Sequence, residues 1–401
     1  NKILVFLLCF KRIKWTIHYG LHPSSPSAFA VLAGIFMHAF GDWERGQALA
    51  NLSLSTLNKV KEMGEKVCEP KTLCRVNFFV LTWTQTPQSM LEPLKDTYKS
   101  GMRHGDVDSA CKTLVWLVHC ELFSGKSLQS VEEGCRPRVA EIEDLKYEKW
   151  AKVFRLAWQS ILNLMGASAN TIVLTGAAVN EQDILAESVD SFAKLHLVHF
   201  YKRYLCTFFG EYEEGAEDSI KHGEQFMKTF PGAFFGFDSF HRGMCLYGAA
   251  RTTKQTKYRK QAEKIRSTIK AWVEKGAPNH AHQLSILNAE HAALIGGGCD
   301  EVSALYEKAI SEASSGGFIQ NAALAEERFG EYLKEVDEEL ESLNHLKEAI
   351  RLYSKWGAMK KVELLQEKHG HFLLRRDSSF RVKGTGVKGR SWACECSQKL
   401  V

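Results

Sequence analysis

Apolar positions along the chain recur with a helical period far more often than they alternate with polar ones. Leu346, Ala349, Ile350 and Tyr353 lie at i, i+3, i+4 and i+7, with Lys347, Glu348 and Arg351 between them. This spacing puts one apolar stripe on a helix. Ala322, Ala325, Phe329 and Leu333 predict a second stripe one helix earlier, and small residues such as Ala325 and Ala349 let neighbouring helices approach closely. The breaks carry matching chemistry. Ser27 to Phe40 reads as an apolar helix, after which Gly41-Asp42 turns the chain into a helix over Trp43 to Met63. Glycine supplies the left-handed conformation that ends one helix, and the aspartate oxygen caps the next. Gly105-Asp106 and Gly210-Glu211 repeat the device, and Gly298-Cys299-Asp300 is a looser version.

These segments predict an all-α protein, a superhelix of stacked antiparallel helix pairs in the manner of a tetratricopeptide-like solenoid. Tyr306-Glu307-Lys308-Ala309-Ile310 and Leu346-Lys347-Glu348-Ala349-Ile350 share a pattern offset by 40 residues, a size typical of stacked helix pairs. Coincidence between two amphipathic helices is the other reading, and no strict 34-residue repeat is present. We divide the chain into a helical extension (1–20), a first part of the array (21–164), a connecting loop (165–183), a second part (184–372) and a basic tail expected to be disordered (373–401). The apolar run Ile3 to Phe10 is shorter than the roughly 20 residues a membrane span needs. Lys11, Arg12 and Lys14 follow it instead of preceding it, unlike a signal peptide. We expect a buried piece of helix continuing from upstream, and, with Asn1 at the start, a piece of a longer polypeptide.

Composition narrows the function classes. Only eight prolines occur in 401 residues, which again favours helices over turn-rich strand folds. The eleven cysteines are scattered within apolar patterns, as at Cys74, Cys111, Cys120, Cys206 and Cys245. An odd count without framework spacing predicts free thiols and a cytoplasmic location. The formal charge of +5 resides entirely between Arg375 and Lys399, where seven basic residues face two acidic ones. The body is therefore neutral, and a general nucleic-acid role loses its main support. An adaptor binding nucleic acid or acidic lipid through the tail is kept as an alternative.

Four stretches together resemble the helical-repeat region of large mosaic signalling proteins that join a serine/threonine kinase-like domain, a P-loop ATPase and a sensor histidine kinase. The first runs from Ser27-Ala28-Phe29 to Gly41-Asp42-Trp43-Glu44-Arg45-Gly46. The second runs from Cys74-Arg75-Val76 through Pro93-Leu94, Tyr98, Gly101 and Gly105-Asp106 to Phe123-Ser124-Gly125-Lys126. The third is Phe209-Gly210-Glu211-Tyr212 with Trp272 and Pro278-Asn279. The fourth comprises Tyr306, Ala309-Ile310, Gly317-Phe318, Ala323-Leu324-Ala325, Tyr332, Tyr353-Ser354-Lys355-Trp356-Gly357-Ala358 and Lys361-Val362. The resemblance implies a tetratricopeptide-like regulatory segment between an ATPase and sensor domains, with protein partners or neighbouring domains of the same polypeptide. Catalytic residues of that family belong to the flanking domains, so none is carried over. A fragment of an ATP-dependent kinase or ATPase is the corresponding alternative.

No chemistry emerges from the remaining motifs. Gly384-Thr385-Gly386-Val387-Lys388-Gly389 fits G-x-G-x-x-G, but too little chain follows for a nucleotide-binding domain. Gly125-Lys126-Ser127 lacks the earlier P-loop glycine, since that position is Cys120, and reads as a helix–helix turn. Glu290-His291, His369-Gly370-His371 and Cys394-x-Cys396 lack paired metal-ligand spacing. The acidic run Asp337, Glu338, Glu339 and Glu341 suits the first turn of a helix. We therefore expect no catalytic residue, cofactor, metal or small-molecule substrate. Phe234, Phe235, Phe237 and Phe240 form a dense aromatic group, read as core packing or, more sharply, as a pocket for a partner peptide or helix.

Overall fold

The computed structural model describes residues 2–64, 68–187, 192–229 and 233–374, and among these every regular element is a helix. The chain begins with α1 (Lys2–Tyr19), α2 (Ser25–His38) and α3 (Trp43–Glu62). Helix α4 (Glu69–Val76) continues through a π-helical turn, Asn77–Leu81, into the single turn α5 (Thr82–Thr84). There follow α6 (Pro87–His104), α7 (Val107–Phe123), α8 (Leu128–Glu133), α9 (Cys135–Asp144) and α10 (Glu148–Met165). Beyond a loop lie α11 (Glu181–Glu187), α12 (Phe192–Phe209), α13 (Tyr212–Thr229), α14 (Ala233–Thr253) and α15 (Thr256–Glu274). A 3-10 turn, Pro278–His280, leads to α16 (Ala281–Ile295), α17 (Cys299–Ser315), α18 (Ile319–Glu335), α19 (Glu339–Trp356) and α20 (Met359–Leu374).

Helix boundaries follow the local chemistry. Asp42 accepts a hydrogen bond from the Arg45 N–H, and Asp106 one from the Ser109 N–H, each satisfying a donor at a helix start. Gly105 is left-handed at φ 71°. Consecutive helices pair, with α2 on α3, α6 on α7, α14 on α15, α16 on α17 and α18 on α19. The 40-residue echo falls on α17 and α19, and both alanines at its centre, Ala309 and Ala349, are fully buried.

The stack does more than contact its neighbours. It winds round and closes on itself, so that early helices meet late ones in the same chain order. Lys275 Nζ donates to the Gly41 carbonyl at 2.9 Å. The Asn279 amide donates to the carbonyls of Thr82 (3.0 Å) and Gln85 (2.7 Å). Gln88 bridges the carbonyls of Ser124 and Gly316, Gln320 donates to the Phe123 carbonyl at 2.8 Å, and α10 packs on α20. At the tightest point Gly125, with φ 79°, abuts the Gly317 carbonyl, where a Cβ would lie 2.5 Å from the oxygen. Both the backbone angle and the space require glycine there.

Closure fills the interior. Helix α7 is buried along almost its whole length, as is α18 from Gln320 to Gly330, and a helix covered all round lies inside the structure. The rings of Phe123 and Phe237 stack with centroids 4.2 Å apart, Trp83 meets Trp272 at 5.2 Å, and Phe208 meets Trp356 at 5.2 Å. One core cluster accordingly extends from Ala30 to Leu365.

Two sequence expectations are refined. The stretch expected to connect two halves over 165–183 is irregular from residue 166 to 180, but it is pinned from within. Asn163 donates to the carbonyls of Asn170, Thr171 and Val173, and Glu181 accepts the Leu174 N–H at 2.8 Å. The run Ile3 to Phe10 is helical, yet Leu4, Phe6, Leu7, Leu8 and Phe10 are exposed. The expectation of burial fails within this chain because α1 packs chiefly on α2. The basic tail lies outside the described residues from 375 onward. Among the described residues, no helix is long and apolar enough to cross a membrane.

Candidate functional site

The motifs weighed in the sequence occupy structural positions. Gly125-Lys126-Ser127 joins α7 to α8, where Ser127 caps α8 by accepting the Ser130 N–H. Phe237 and Phe240 are buried in the core, so neither ring is offered to a partner, while the side chains of Phe234 and Phe235 lie outside the described residues. The Gly-rich tail motif and Cys394-x-Cys396 lie outside them too, as does the His371 side chain. Two polar clusters remain, each beside a cleft.

The first lines a cleft of about 560 Å³ among α13, α14, α18 and α20. Two of the lining residues, Arg251 and Arg328, pair with Glu290 of α16, which is fully buried. It accepts from Arg328 at 2.8 and 3.1 Å, from Arg251 at 3.4 Å and from the Tyr306 hydroxyl at 2.8 Å. Glu327 is held by Lys361 at 2.6 Å and the Tyr353 hydroxyl at 2.9 Å. Glu331 takes Arg328 at 2.6 Å and Lys368 at 2.5 Å, and Glu335 takes Arg251 at 2.7 Å. Burial pushes the Glu290 carboxyl up, but Arg328 and Arg251 outweigh it and hold the group below its usual value. Glu331 is lowered in the same way, chiefly by Arg328 and Lys368. Burial drives His369, at the rim, down to about 4. None of these carboxylates stands unpaired, since Glu290, Glu327, Glu331 and Glu335 each have a cationic partner. The cluster ties α14 and α16 through α20 together, the arrangement in which buried charge is tolerated.

The second cluster borders a cleft of about 630 Å³ between α12 and α13. Asp218 and His222 stand one turn apart on α13, and His199 faces them from α12. His199 Nδ1 lies 2.6 Å from Asp218 Oδ1. The His199 and His222 rings stack with centroids 3.9 Å apart and planes at 18°. Arg203 pairs with the other Asp218 oxygen and is gripped by Asp238 through Nε at 2.8 Å and Nη2 at 2.6 Å. Burial raises the Asp218 carboxyl, but the His199 hydrogen bond and Arg203 outweigh it, so its value is lowered. Burial, then the neighbouring His199, lowers His222. Sequence reasoning missed this cluster. Asp218-x-x-x-His222 was its one local signal, since a four-residue step places two side chains on one helix face. Only folding adds His199.

No protein-family model matches the chain, and no curated protein matches it.

Proposed function

We propose that this chain is a non-catalytic protein-interaction and regulatory scaffold, a tetratricopeptide-like segment that links an ATPase module to a sensor or output module within a signalling protein. The observation that carries the reading is the commitment of the buried charges to holding helices together. Glu290, Arg328, Arg251 and their neighbours form a clasp across α14 and α16–α20, and a closed superhelix of this kind acts as a stiff spacer. The four-part resemblance described above adds the kind of parent. Several of its residues, including Gly125 and Gly317, occupy the turns where the superhelix closes. The exposed apolar face of α1, with Leu4, Leu7 and Leu8, is where a neighbouring module of the same polypeptide docks. Free, buried thiols such as Cys111, Cys206 and Cys245 suit a reducing, cytoplasmic setting.

Hydrogen exchange of the chain alone and joined to its flanking modules tests the reading. Protection gained on α1 and on outer helices is the expected result. Unchanged exchange throughout, or ATP hydrolysis by the chain alone, overturns it.

A further inference from the structure

Helix α1 leaves one of its faces open. Leu4, Leu7, Lys11, Lys14 and His18 follow at i, i+3, i+7, i+10 and i+14, a spacing that lines them up along one side of the helix, and all five are exposed. Leu8 and Trp15 flank this line on one side, Phe10 and Ile17 on the other, and these four are exposed as well. The opposite side is the attached one. Cys9 there is buried, and the Thr16 hydroxyl lies 2.6 Å from that of Ser25 on α2. The open line changes character along its length, apolar through Leu7 and basic from Lys11 onward. The Lys11 ammonium rests 4.8 Å from the Trp15 ring centroid, so its charge lies along the helix surface.

The charge around this face is of one sign. No acidic residue precedes Asp42 in the chain. Arg75 of α4 adds a further cation at the junction of α1 and α2. It is half-buried and donates to the Ser27 hydroxyl and, at 3.5 Å, to the Ser27 carbonyl. Among the described residues no carboxylate pairs with it. Burial lowers its pKa, and the like charge of nearby Arg12 adds to the effect. A guanidinium withdrawn from water normally has a carboxylate beside it, as Arg203, Arg251 and Arg328 do in this molecule.

We propose that the neighbouring module docked on α1 presents a surface divided in the same way, an apolar patch against Leu4, Leu7 and Leu8 followed by carboxylates against Lys11, Arg12 and Lys14. Arg75, with no carboxylate of its own, adds to the positive field at the basic half. This rests on the scaffold reading, in which α1 is the docking helix, and adds the chemistry of its partner. A lipid bilayer fits the face less well. A helix lying in a lipid interface keeps its charges on the face turned to water, whereas here Lys11 and Lys14 hold the middle of the open face with apolar side chains on both sides. A second copy of the chain fits poorly too. Two copies meeting in parallel set cation on cation, and in antiparallel they set Leu4 and Leu7 against Lys14 and His18. A protein surface with apolar groups and carboxylates in succession satisfies both halves, and complementary charge fixes its register.

The test compares hydrogen exchange of α1 in the polypeptide that joins this chain to its flanking modules with that in the 401-residue chain alone. Docking is expected to slow exchange across α1. Lys11→Glu and Lys14→Glu together reverse the charge at exposed positions, where the fold does not depend on them. This pair is expected to reduce the gained protection by about tenfold or more, while Lys11→Arg with Lys14→Arg keeps it. Carbodiimide, which joins an amine directly to a carboxylate, is expected to link Lys11 or Lys14 to an Asp or Glu of the neighbouring module. Protection that survives the charge reversal undiminished overturns the acidic partner and leaves α1 as a docking helix. Absence of any gained protection on α1 overturns the docking reading itself, and this inference with it. Two further results overturn the proposal in favour of another occupant. One is binding of the 401-residue chain to vesicles of phosphatidylcholine and phosphatidylserine that the charge reversal abolishes. The other is a dimer of that chain that Leu7→Glu dissociates.

Discussion

The cluster around Glu290 and the cluster around Asp218 are built from the same ingredients and differ in how completely they are satisfied. Both place carboxylates and guanidinium groups in the interior, and both join several helices, consecutive ones around Asp218 and more distant ones around Glu290. Both Glu290 oxygens have partners, from Arg251, Arg328 and Tyr306. His199 keeps a buried nitrogen with none. Complete pairing is what a structural clasp requires, because an unpaired buried group costs its full desolvation. Burial and charge alone do not distinguish the two clusters; the count of partners does.

The comparison can be broken most forcefully at its satisfied end. Replacing Glu290 by Ala leaves the buried Arg251 and Arg328 with Glu335 and Glu331 as their remaining carboxylate partners, and we expect a loss at the lower end of about 3–5 kcal/mol in denaturant unfolding. The triple replacement Glu290→Leu, Arg251→Met and Arg328→Met is expected to recover most of that loss, since apolar groups of similar volume often substitute for a buried ion pair at little cost. An equally unstable triple variant would mean that the cluster does more than satisfy itself.

Acid sharpens the comparison by titrating histidine before carboxylate. Burial drives His119, His241 and His282 to about 3 and His280 to about 4, from an ordinary 6.5. Their folded values lie below the unfolded one, so the unfolded chain binds protons first. Stability is therefore complete above about 6.5 and falls as the pH drops towards 4, by about 1.4 kcal/mol per pH unit for each such histidine. Glu290 and Asp218 are also lowered, and their contribution is lost only below the ordinary carboxylate value. Unfolding followed against pH should show the histidine loss first. His241→Phe should flatten the upper part of the curve by about one proton's share. The smallest effect belongs to the surface. Lys270→Ala breaks a pair with Glu274 in which both side chains are about two-thirds exposed, and we expect a change under about 0.5 kcal/mol by thermal unfolding.

Parts of this architecture are legible in the sequence because their causes are local. Asp42 and Asp106 cap helices through backbone donors three residues away, and the stripe Ala322, Ala325, Phe329 and Leu333 is buried as its spacing requires. The same helix shows where local reading ends. Glu326, Glu327 and Arg328 are nearly as buried as the stripe, although charged residues between apolar ones normally mark the solvated face. Their partners, among them Glu290, His345 and Lys361, lie on other helices. The exposed run in α1 errs in the opposite direction. Its composition asks for cover, but composition does not say which surface provides it.

The sequence by itself therefore determined that this is an all-helical array and where most helices start and stop, because capping, period and turn chemistry act over a few residues. Tertiary structure alone decided that the array closes, that Gly125 meets Gly317 and that Asn279 reaches Thr82. It also decided that His199 joins Asp218 and His222. Each of these depends on side chains from helices far apart in the chain or on opposite sides of a turn. Their meeting is fixed by how many helix pairs complete one turn of the superhelix, a sum of small packing angles that no single segment encodes.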